Sequence, residues 1–327
     1  MLKRNVNNPI LTARPDLSWC SRKVYNCAVH EEDGMYYMLF RAVGDDWISR
    51  LGIAESEDGV RFTIRPKPVV SPGYPWESHG CEDPRMVKFG DRFFVTYTAF
   101  DGITARAAIM WSKDFRNWSE RHLLFPDIDN PQRENLPYDW SKAAAIYPEK
   151  LGGKYYLLFG DNHIWAAVSD NMKDWEPLPH PILNARGGHF DSAYIEMGPP
   201  PIRTTKGWLV LYHGIDRMDG QRTYALGAAL FDIDDPLKLI WRCSKPILSP
   251  KEPYETFGMV DIIDGGFDAL KRMKITDFRR LAKEHKLPKA IFCCGAIEEH
   301  GTLKLYYSGG DTVICTGEIS LERVFAS

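Results

Sequence analysis

The chain has 327 residues, and its 41 Lys and Arg against 44 Asp and Glu give a formal net charge of -3. A nucleic-acid or membrane partner is not expected from this balance, because proteins that bind polyanions are usually more basic. No apolar run approaches the roughly 20 residues that cross a membrane, and the polar start at residues 1–5 predicts no signal peptide. The 7 Cys lack metal-binding spacing and predict reduced thiols, a cytoplasmic location and neither a metal nor a cofactor.

A turn followed by an aromatic-rich run recurs five times along the chain. Runs of β-branched and aromatic residues between Gly or Asp turns are typical of strands. The five runs cover residues 34–40, 91–97, 153–159, 207–212 and 301–307. This repetition predicts several copies of one small structural unit.

The first three runs are each followed by a further strand and a turn of matching composition. The turn residues are Ser56, Asp58 and Phe62, then Ser112, Asp114 and Trp118, then Ser169, Asn171 and Trp175. A Ser or Asp at such a turn bonds the local backbone, and the aromatic residue closes the edge of the unit. We therefore predict that each unit is a four-stranded blade. Residues 1–327 would form a single all-β domain, a five-bladed β-propeller around a central channel.

The fourth and fifth runs lie farther apart than the others, and the interval carries a helical pattern. Five apolar residues fall near helical spacing: Phe267, Leu270, Met273, Phe278 and Leu281. The charged stretch around them stops at Pro288, which predicts an inserted amphipathic helix near residues 268–286. The helix could pack on the side of the propeller, or act as a lid or as a contact in a homo-oligomer.

Polar residues follow the five aromatic runs. They are Arg41, Asp101, Asp161, His213, Asp216 and Asp311. Strand ends converge on the axis of a propeller, where ligands bind, so these side chains predict a polar pocket suited to a sugar. Asp101 and Asp216 could equally serve as ordinary turn residues. The 10 Trp and 15 Tyr also suit a sugar ligand, because their faces stack on C–H groups while their edges donate hydrogen bonds.

Three acids are candidates for chemistry. Asp83 lies in segment 80–85, where the following proline favours an extended Asp83 and Arg85 could orient a carboxylate. Glu149 and Glu196 each sit beside apolar residues, as partly buried acids would, although each could instead form a salt bridge between blades. Glycoside cleavage commonly uses two carboxyl groups on opposite sides of the scissile bond, and an inverting enzyme leaves room for water between them.

These motifs resemble those of glycoside hydrolase family 130, which contains β-mannoside phosphorylases and β-1,2-mannosidases on a five-bladed propeller. The resemblance covers nearly the whole chain and is carried by residues 82–85, 207–214, 225–230, 234–236 and 255–258. It implies that Asp83 is the general acid and relays its proton through a hydroxyl of the bound mannose. Further residues that the resemblance places around the reacting sugar are Asn26, Arg41 and Asp311, with His213 and Tyr224 near the nucleophile side.

The sequence departs from the family's phosphorylases where inorganic phosphate would bind. A phosphate dianion needs Arg or Lys donors. Many of the phosphorylases carry an Arg before the equivalent of Lys150, a second Arg after the third run, and a Lys or Arg near Tyr194. Here Glu149, Asp161 and Tyr194 itself occupy those positions, with Glu196 close by. Acids at these positions repel phosphate but could activate water.

We therefore predict an inverting, exo-acting β-mannosidase that hydrolyses β-1,2-linked or other β-linked manno-oligosaccharides. Asp83 would be its acid, and Glu149, Glu196 or both would activate water. The predicted substrate-binding residues are Asn26, Arg41, Arg85, Lys150, Asp161, His213, Tyr224 and Asp311. Loops at residues 45–48 and 130–138 would set the linkage preference.

Three alternatives stay open at this point. A β-mannoside phosphorylase would release mannose 1-phosphate and use inorganic phosphate as co-substrate, and the retained His213 favours it. Another five-bladed glycosidase, of an arabinan-degrading type, would cleave arabinosides instead. A non-catalytic carbohydrate-binding propeller would bind sugar without turnover.

Overall fold

The computed structural model describes residues 2–128, 141–216, 223–256 and 289–327. Over these residues the secondary structure is almost entirely β, as predicted. The helical elements described are short: α1 (Pro253–Thr256), α2 (Leu321–Phe325) and 3-10 turns at Ser18–Cys20 and Pro75–Glu77. The helix predicted near 268–286 and the loop at 130–138 lie outside the described residues. None of the described helices has the length and apolar character needed to cross a membrane.

The strands, numbered β1 to β21 along the chain, pair antiparallel in five successive groups. Group 1 contains β2 (Lys23–Glu32), β3 (Met35–Val43), β4 (Ser49–Ser56) and β5 (Thr63–Ile64). Group 2 contains β6 (Gly80–Phe89), β7 (Arg92–Phe100), β8 (Ala105–Ser112) and β9 (His122–Leu123). Group 3 contains β10 (Ala145–Ile146), β11 (Tyr155–Phe159), β12 (Trp165–Ser169) and β13 (Glu176–Pro177).

The last two groups have less regular edges. Group 4 contains β14 (Tyr194–Met197), β15 (Ile202–Thr204), β16 (Gly207–Asp216), β17 (Thr223–Phe231) and β18 (Leu239–Arg242). In it, β14 and β15 pair with successive halves of β16, so the group is four strands wide. Group 5 contains β19 (Lys289–Glu299), β20 (Thr302–Gly309), β21 (Val313–Ser320) and the N-terminal β1 (Lys3–Arg4).

All five aromatic runs predicted from the sequence are strands, and each forms the second strand of its group. The predicted turns are confirmed as well. The Ser56 hydroxyl accepts a hydrogen bond of 2.9 Å from the Gly59 N–H, and Asp58 Oδ1 accepts one of 2.9 Å from the Val60 N–H. The same contacts recur at Ser112 and at Ser169.

Five buried apolar layers lie between the groups in the described part of the chain. Four of them separate successive groups. The fifth packs side chains of group 5, such as Tyr306 and Ile314, against group 1. The groups therefore follow one another in a cyclic order, with the last next to the first.

Neighbouring residues of one strand contribute to different layers, because side chains alternate between the faces of a sheet. In β3, Leu39 packs between groups 1 and 2, while Met38 and Phe40 pack between groups 5 and 1. Each such side chain contributes about 1.5–3 kcal/mol when it is fully buried. A strand buried on both faces is a continuous apolar run in the sequence, and for this reason these strands can be predicted from the sequence.

The groups share one orientation. In groups 1, 2 and 5 a two-residue turn joins the first and second strands, with residues such as Asp33 and His300 at positive φ. At the opposite end the first strands begin and the second strands finish, and we call this the site end. Parallel bridges between Ser49 and Gly80 and between Tyr224 and Ala290 connect neighbouring groups there.

Candidate active site

Irregular pairing in three first strands shapes the site end. The ladder skips Asn26 in β2, Asp83 and Pro84 in β6, and Cys294 in β19. Such β-bulges re-aim the side chains of the unpaired residues. Asn26 and Asp83 have φ of 45° and 51°, values that non-glycine residues rarely adopt. The expectation that Pro84 keeps Asp83 extended is wrong, because the bulge sets the backbone at this position.

The Asp83 carboxylate is held by two donors from group 1. Asn26 Nδ2 donates a hydrogen bond of 2.7 Å to Asp83 Oδ1, and Arg41 Nη1 donates one of 3.1 Å to the same oxygen. Asn26 is itself fixed by Ser308 of group 5, whose hydroxyl donates to Asn26 Oδ1 at 2.6 Å. Residues from three groups therefore converge on one carboxylate.

Glu82 is the second member of an acidic pair. Arg41 Nη2 donates to Glu82 Oε1 at 2.6 Å, and the Ser49 hydroxyl donates to the same oxygen at 2.9 Å. Burial raises the pKa of Glu82, and the charge of Asp83 adds to this effect while Arg41 opposes it. Burial also raises the pKa of Asp83, but Arg41 and the hydrogen bond from Asn26 outweigh it, so this pKa lies below its ordinary value. The donors from Asn26 and Arg41 therefore favour the ionised form of Asp83, whereas burial favours the protonated form of Glu82.

A lysine and two further acids come from groups 3 and 4. Lys142 Nζ donates to Glu196 Oε1 at 2.8 Å and lies 4.0 Å from Asp161 Oδ2. Burial lowers the pKa of Lys142, but the charges of Glu196 and Asp161 outweigh it, and the pKa is raised. The ammonium is therefore charged, and its field reaches Glu82 and Asp83.

Asp311 and a pair of tyrosines complete the rim of the site. Asp311 lies in the turn between β20 and β21 with φ of 50°. Burial raises the pKa of Asp311 more than the charge of Arg41 lowers it. The hydroxyl oxygens of Tyr194 and Tyr224 are 2.7 Å apart. Burial and then Tyr194 raise the pKa of Tyr224, with a further contribution from the charge of Glu196, so its hydroxyl is neutral.

Arg85 lies beneath this surface and binds backbone rather than a substrate. Its side chain is fully buried, and its guanidinium donates to three carbonyl oxygens. Nε donates to Gly198 at 2.7 Å, Nη2 to Met197 at 2.6 Å and Nη1 to Asp83 at 3.0 Å. These bonds join the strand of Asp83 to the strand of Glu196. The predicted substrate-binding role of Arg85 does not agree with this burial.

His213 is also buried, with no exposed surface. Its ring stacks on Phe292 with centroids 3.9 Å apart, and Nε2 accepts a hydrogen bond of 2.8 Å from the Cys293 N–H. Burial lowers the pKa of His213 well below its ordinary value, and the charges of Arg85 and Lys142 lower it further. The imidazole is therefore neutral, with its proton on Nδ1. A direct contact with substrate, as predicted, is prevented by the packing around the ring.

Glu149 and Lys150 lie at the far end of group 3. They fall between β10 and β11, at the hairpin end of the group, whereas Lys142 stands before β10 at the site end. Glu149 pairs with Arg203 at 3.5 Å, and the Lys150 ammonium lies 4.4 Å from the ring centroid of Tyr155. These positions contradict the predicted roles of Glu149 and Lys150 beside the reacting sugar.

Glu82 and Lys142 are charged residues of the site that were not predicted. Glu82 is adjacent to Asp83, and neighbours in a regular strand point to opposite faces, but the bulge lets both contact Arg41. Lys142 belongs to no recognisable motif. The one signal for it is its place just before the first strand of group 3, at the site end.

The site brings together two pairs of acids, each pair sharing one cation. Asp83 and Glu82 share Arg41, while Glu196 and Asp161 flank Lys142. These carboxylates come from different strand groups, and hydroxyl and amide donors lie among them. Such a site suits proton transfer to and from a polyhydroxylated ligand.

The sequence model of glycoside hydrolase family 130, described as beta-1,4-mannooligosaccharide phosphorylase, matches residues 10–269. The 1,2-beta-oligomannan phosphorylase of Thermoanaerobacter sp. (strain X514) is 32% identical over 339 residues, which cover 99% of this chain and 98% of that protein. The beta-1,2-mannobiose phosphorylase of Listeria innocua serovar 6a is 31% identical over 284 residues, which cover 85% and 68%.

Solved structures extend the comparison. The Listeria innocua beta-1,2-mannobiose phosphorylase in complex with β-1,2-mannobiose has a TM-score of 0.77 at 25% identity, covering 99% of this chain and 98% of that chain. A structure reported for family members that are glycoside hydrolases targeting beta-1,2 mannosidic linkages in Candida mannan has a TM-score of 0.81 at 26% identity, covering 98% and 94%. Similar proteins therefore include both phosphorylases and hydrolases.

Proposed function

The chain belongs to glycoside hydrolase family 130, and we propose that it is an enzyme that hydrolyses β-1,2-linked manno-oligosaccharides by removing a terminal mannose with inversion. The five strand groups would be the blades of a single five-bladed propeller, since their apolar layers follow a cyclic order. The site would then lie at the mouth of the central channel. Asn26, Arg41 and Asp311 would hold the terminal mannose.

The proposal of hydrolysis rests on the charges around Lys142. Its ammonium is bonded to Glu196 at 2.8 Å and has Asp161 nearby. Two carboxylates beside one ammonium leave a net negative charge, which opposes the binding of a phosphate dianion. A water molecule meets no such repulsion and can transfer its proton to a carboxylate.

In the proposed reaction Glu196 is the base and Asp83 is the acid. Water attacks the anomeric carbon as its proton passes to Glu196, and the bond to the glycosidic oxygen breaks. The leaving oxygen receives a proton that originates on Asp83 and passes through a mannose hydroxyl. One water is consumed, and the products are mannose and the shortened sugar.

Asp83 must acquire its proton before the leaving group departs. In the free protein, Arg41 and Asn26 lower the pKa of Asp83 despite its burial. A mannose hydroxyl that binds to Arg41 or Asn26 would compete with Asp83 for their donors. Loss of those interactions raises the pKa of a buried carboxyl, so substrate binding would favour the acid form.

Phosphorolysis is the second candidate. It is favoured by the relatives at 31% and 32% identity, which are phosphorylases. In that reaction Lys142 would exchange Glu196 for inorganic phosphate as co-substrate, and the product would be mannose 1-phosphate.

The deciding experiment incubates the protein with β-1,2-mannobiose in phosphate buffer, or in sulfate buffer of equal ionic strength. Hydrolysis predicts free mannose at the same rate in both, and proton NMR should detect the α-anomer first because the reaction inverts. Mannose 1-phosphate that forms only with phosphate would establish phosphorolysis instead. Binding of mannobiose without any product would favour the carbohydrate-binding alternative.

A further inference from the structure

The turn between β3 and β4 presents a tryptophan at the site end. Trp47 is 54% exposed and has φ of 60°, a left-handed backbone that bulky residues rarely adopt. Two residues later, the Ser49 hydroxyl contacts both Arg41 and Glu82, so the turn leads directly into the site. Backbone strain of this kind clusters at ligand clamps and active sites.

The two acids that precede Trp47 form ion pairs with arginines. Asp46 accepts two hydrogen bonds from Arg50, at 3.0 and 2.6 Å. Asp45 accepts one from Arg22 at 2.8 Å. These pairs connect the turn to the start of β2 and to β4.

Two cations lie against the indole ring of Trp47. The Lys23 ammonium is 5.4 Å from the ring centroid, and the Arg22 guanidinium carbon is 6.0 Å from it. Lys23 is only 8% exposed, and its charge also acts on Asp311, whose pKa burial raises. A single buried lysine therefore connects the ring to an acid on the rim of the site.

Trp47 differs from the other exposed large apolar side chains of the described residues. These are all aliphatic: Val6, Ile103, Leu239 and Ile240. Scattered exposed aliphatic residues are normal on a protein surface and need no function. An exposed aromatic ring on a strained and braced turn beside the site does require an explanation.

We propose that Trp47 is a stacking platform for the second mannose unit of the substrate, next to the terminal mannose in the site; this inference rests on the proposed function. The C–H face of a pyranose packs well on an aromatic ring. The two cations lie within 6.0 Å of the ring centroid, and Trp47 is 54% exposed, so part of the ring surface is open to a sugar. Because the platform contacts no reacting atom, it acts on affinity for the chain and not on bond cleavage.

The test compares initial rates on β-1,2-mannobiose and β-1,2-mannotriose. Both sugars contain a second mannose unit, so we expect Trp47→Ala to raise KM for each of them about tenfold and to leave kcat within about twofold of wild type. Trp47→Phe should recover most of the affinity, because it keeps an aromatic face. Ile240→Ala is a matched control, since Ile240 is 52% exposed and lies on β18, away from the site. In an Asp83→Asn background, mannotriose should quench tryptophan fluorescence, and the added Trp47→Phe change should abolish the quenching.

The outcomes separate this inference from the proposed function. An unchanged KM in Trp47→Ala, while wild type cleaves mannobiose, would overturn the platform and leave the enzyme assignment intact. A lower kcat at unchanged KM would also overturn it, because Trp47 would then act in bond cleavage. A wild-type protein that neither binds nor cleaves these mannosides would overturn both. If Trp47→Ala does not fold, the Trp47→Phe fluorescence result decides.

Discussion

A substitution of Glu196 tests whether the protein cleaves its sugar by the proposed mechanism or only binds it. The Glu196 side chain is nearly buried and accepts a hydrogen bond from Lys142. Glu196→Gln keeps an acceptor for Lys142 but removes the base. We expect kcat to fall by roughly 10²–10⁴-fold, while calorimetric titration with β-1,2-mannobiose shows little change in affinity.

Glu149 offers the matched control for this substitution. It lies at the hairpin end of group 3, where it pairs with Arg203 at 3.5 Å and is 41% exposed. Glu149→Gln removes the same charge from the chain without touching the site, so its kcat and KM should equal those of wild type. Full activity of Glu196→Gln would remove Glu196 as the base, and inactivity of Glu149→Gln would mean that the loss of activity is not specific to Glu196.

Part of this residue-scale picture could be predicted from the sequence. Asp83, Asn26 and Arg41 belong to recognisable motifs, and the structure brings them into contact. Glu149 was misplaced because neighbouring apolar residues indicate burial but not the end of a strand. Chain order decides that: residues between the first and second strands lie at the hairpin end. By the same reasoning, Lys142 lies at the site end, because it precedes β10, the first strand of group 3.

Between elements, Arg85 sets how the strands of the two proposed catalytic acids lie. Its guanidinium bonds the carbonyl of Asp83 itself and those of Met197 and Gly198, the two residues that follow Glu196. Arg85→Lys keeps the charge but cannot bind three carbonyls in the same planar geometry. We expect kcat to fall about 10- to 100-fold with KM within about twofold. Steady-state kinetics on β-1,2-mannobiose checks this.

A second substitution at Arg85 separates its role in positioning the strands from the effect of its charge on Asp83. The positive charge of Arg85 contributes to lowering the pKa of Asp83. Arg85→Met removes it, so Asp83 would stay protonated to higher pH and the alkaline limb of kcat/KM would move upward; Arg85→Lys should not move it. Arg92→Lys, at an exposed arginine of β7 that stacks on Trp111, is the control. Equal kcat in Arg85→Lys and Arg92→Lys would contradict a positioning role.

Most strands can be predicted from the sequence, but the bulges within them cannot. Strands such as β3 and β16 are buried on both faces, so their apolar runs predict strands directly. The bulges at Asn26 and Asp83 depend on pairing with a partner strand, which no local pattern encodes. Those bulges create the site, so the sequence predicts its residues better than its geometry.

At the scale of the whole molecule, the N-terminal strand completes group 5. The repeats predict five units, but β1 is only two residues long and carries no strand pattern. It pairs with β21 and supplies the fourth strand of group 5. Group 5 also contributes Ser308 and Asp311 to the site, so the two ends of the chain meet in the element that completes it.

The ion pair between Arg4 of β1 and Glu255 of α1 tests this closure. Arg4 donates to both carboxylate oxygens of Glu255, at 2.6 and 2.8 Å, and Glu255 is fully buried. We expect Arg4→Ala to lower the free energy of unfolding by about 3–5 kcal/mol, because the buried carboxylate keeps its hydrogen bonds from Tyr307 and two backbone N–H groups but loses its cation. Arg14→Ala, which breaks the exposed pair with Asp16, should leave the urea midpoint nearly unchanged. Equal midpoints for the two variants would mean that the ion pair between β1 and α1 adds nothing to the stability of the protein.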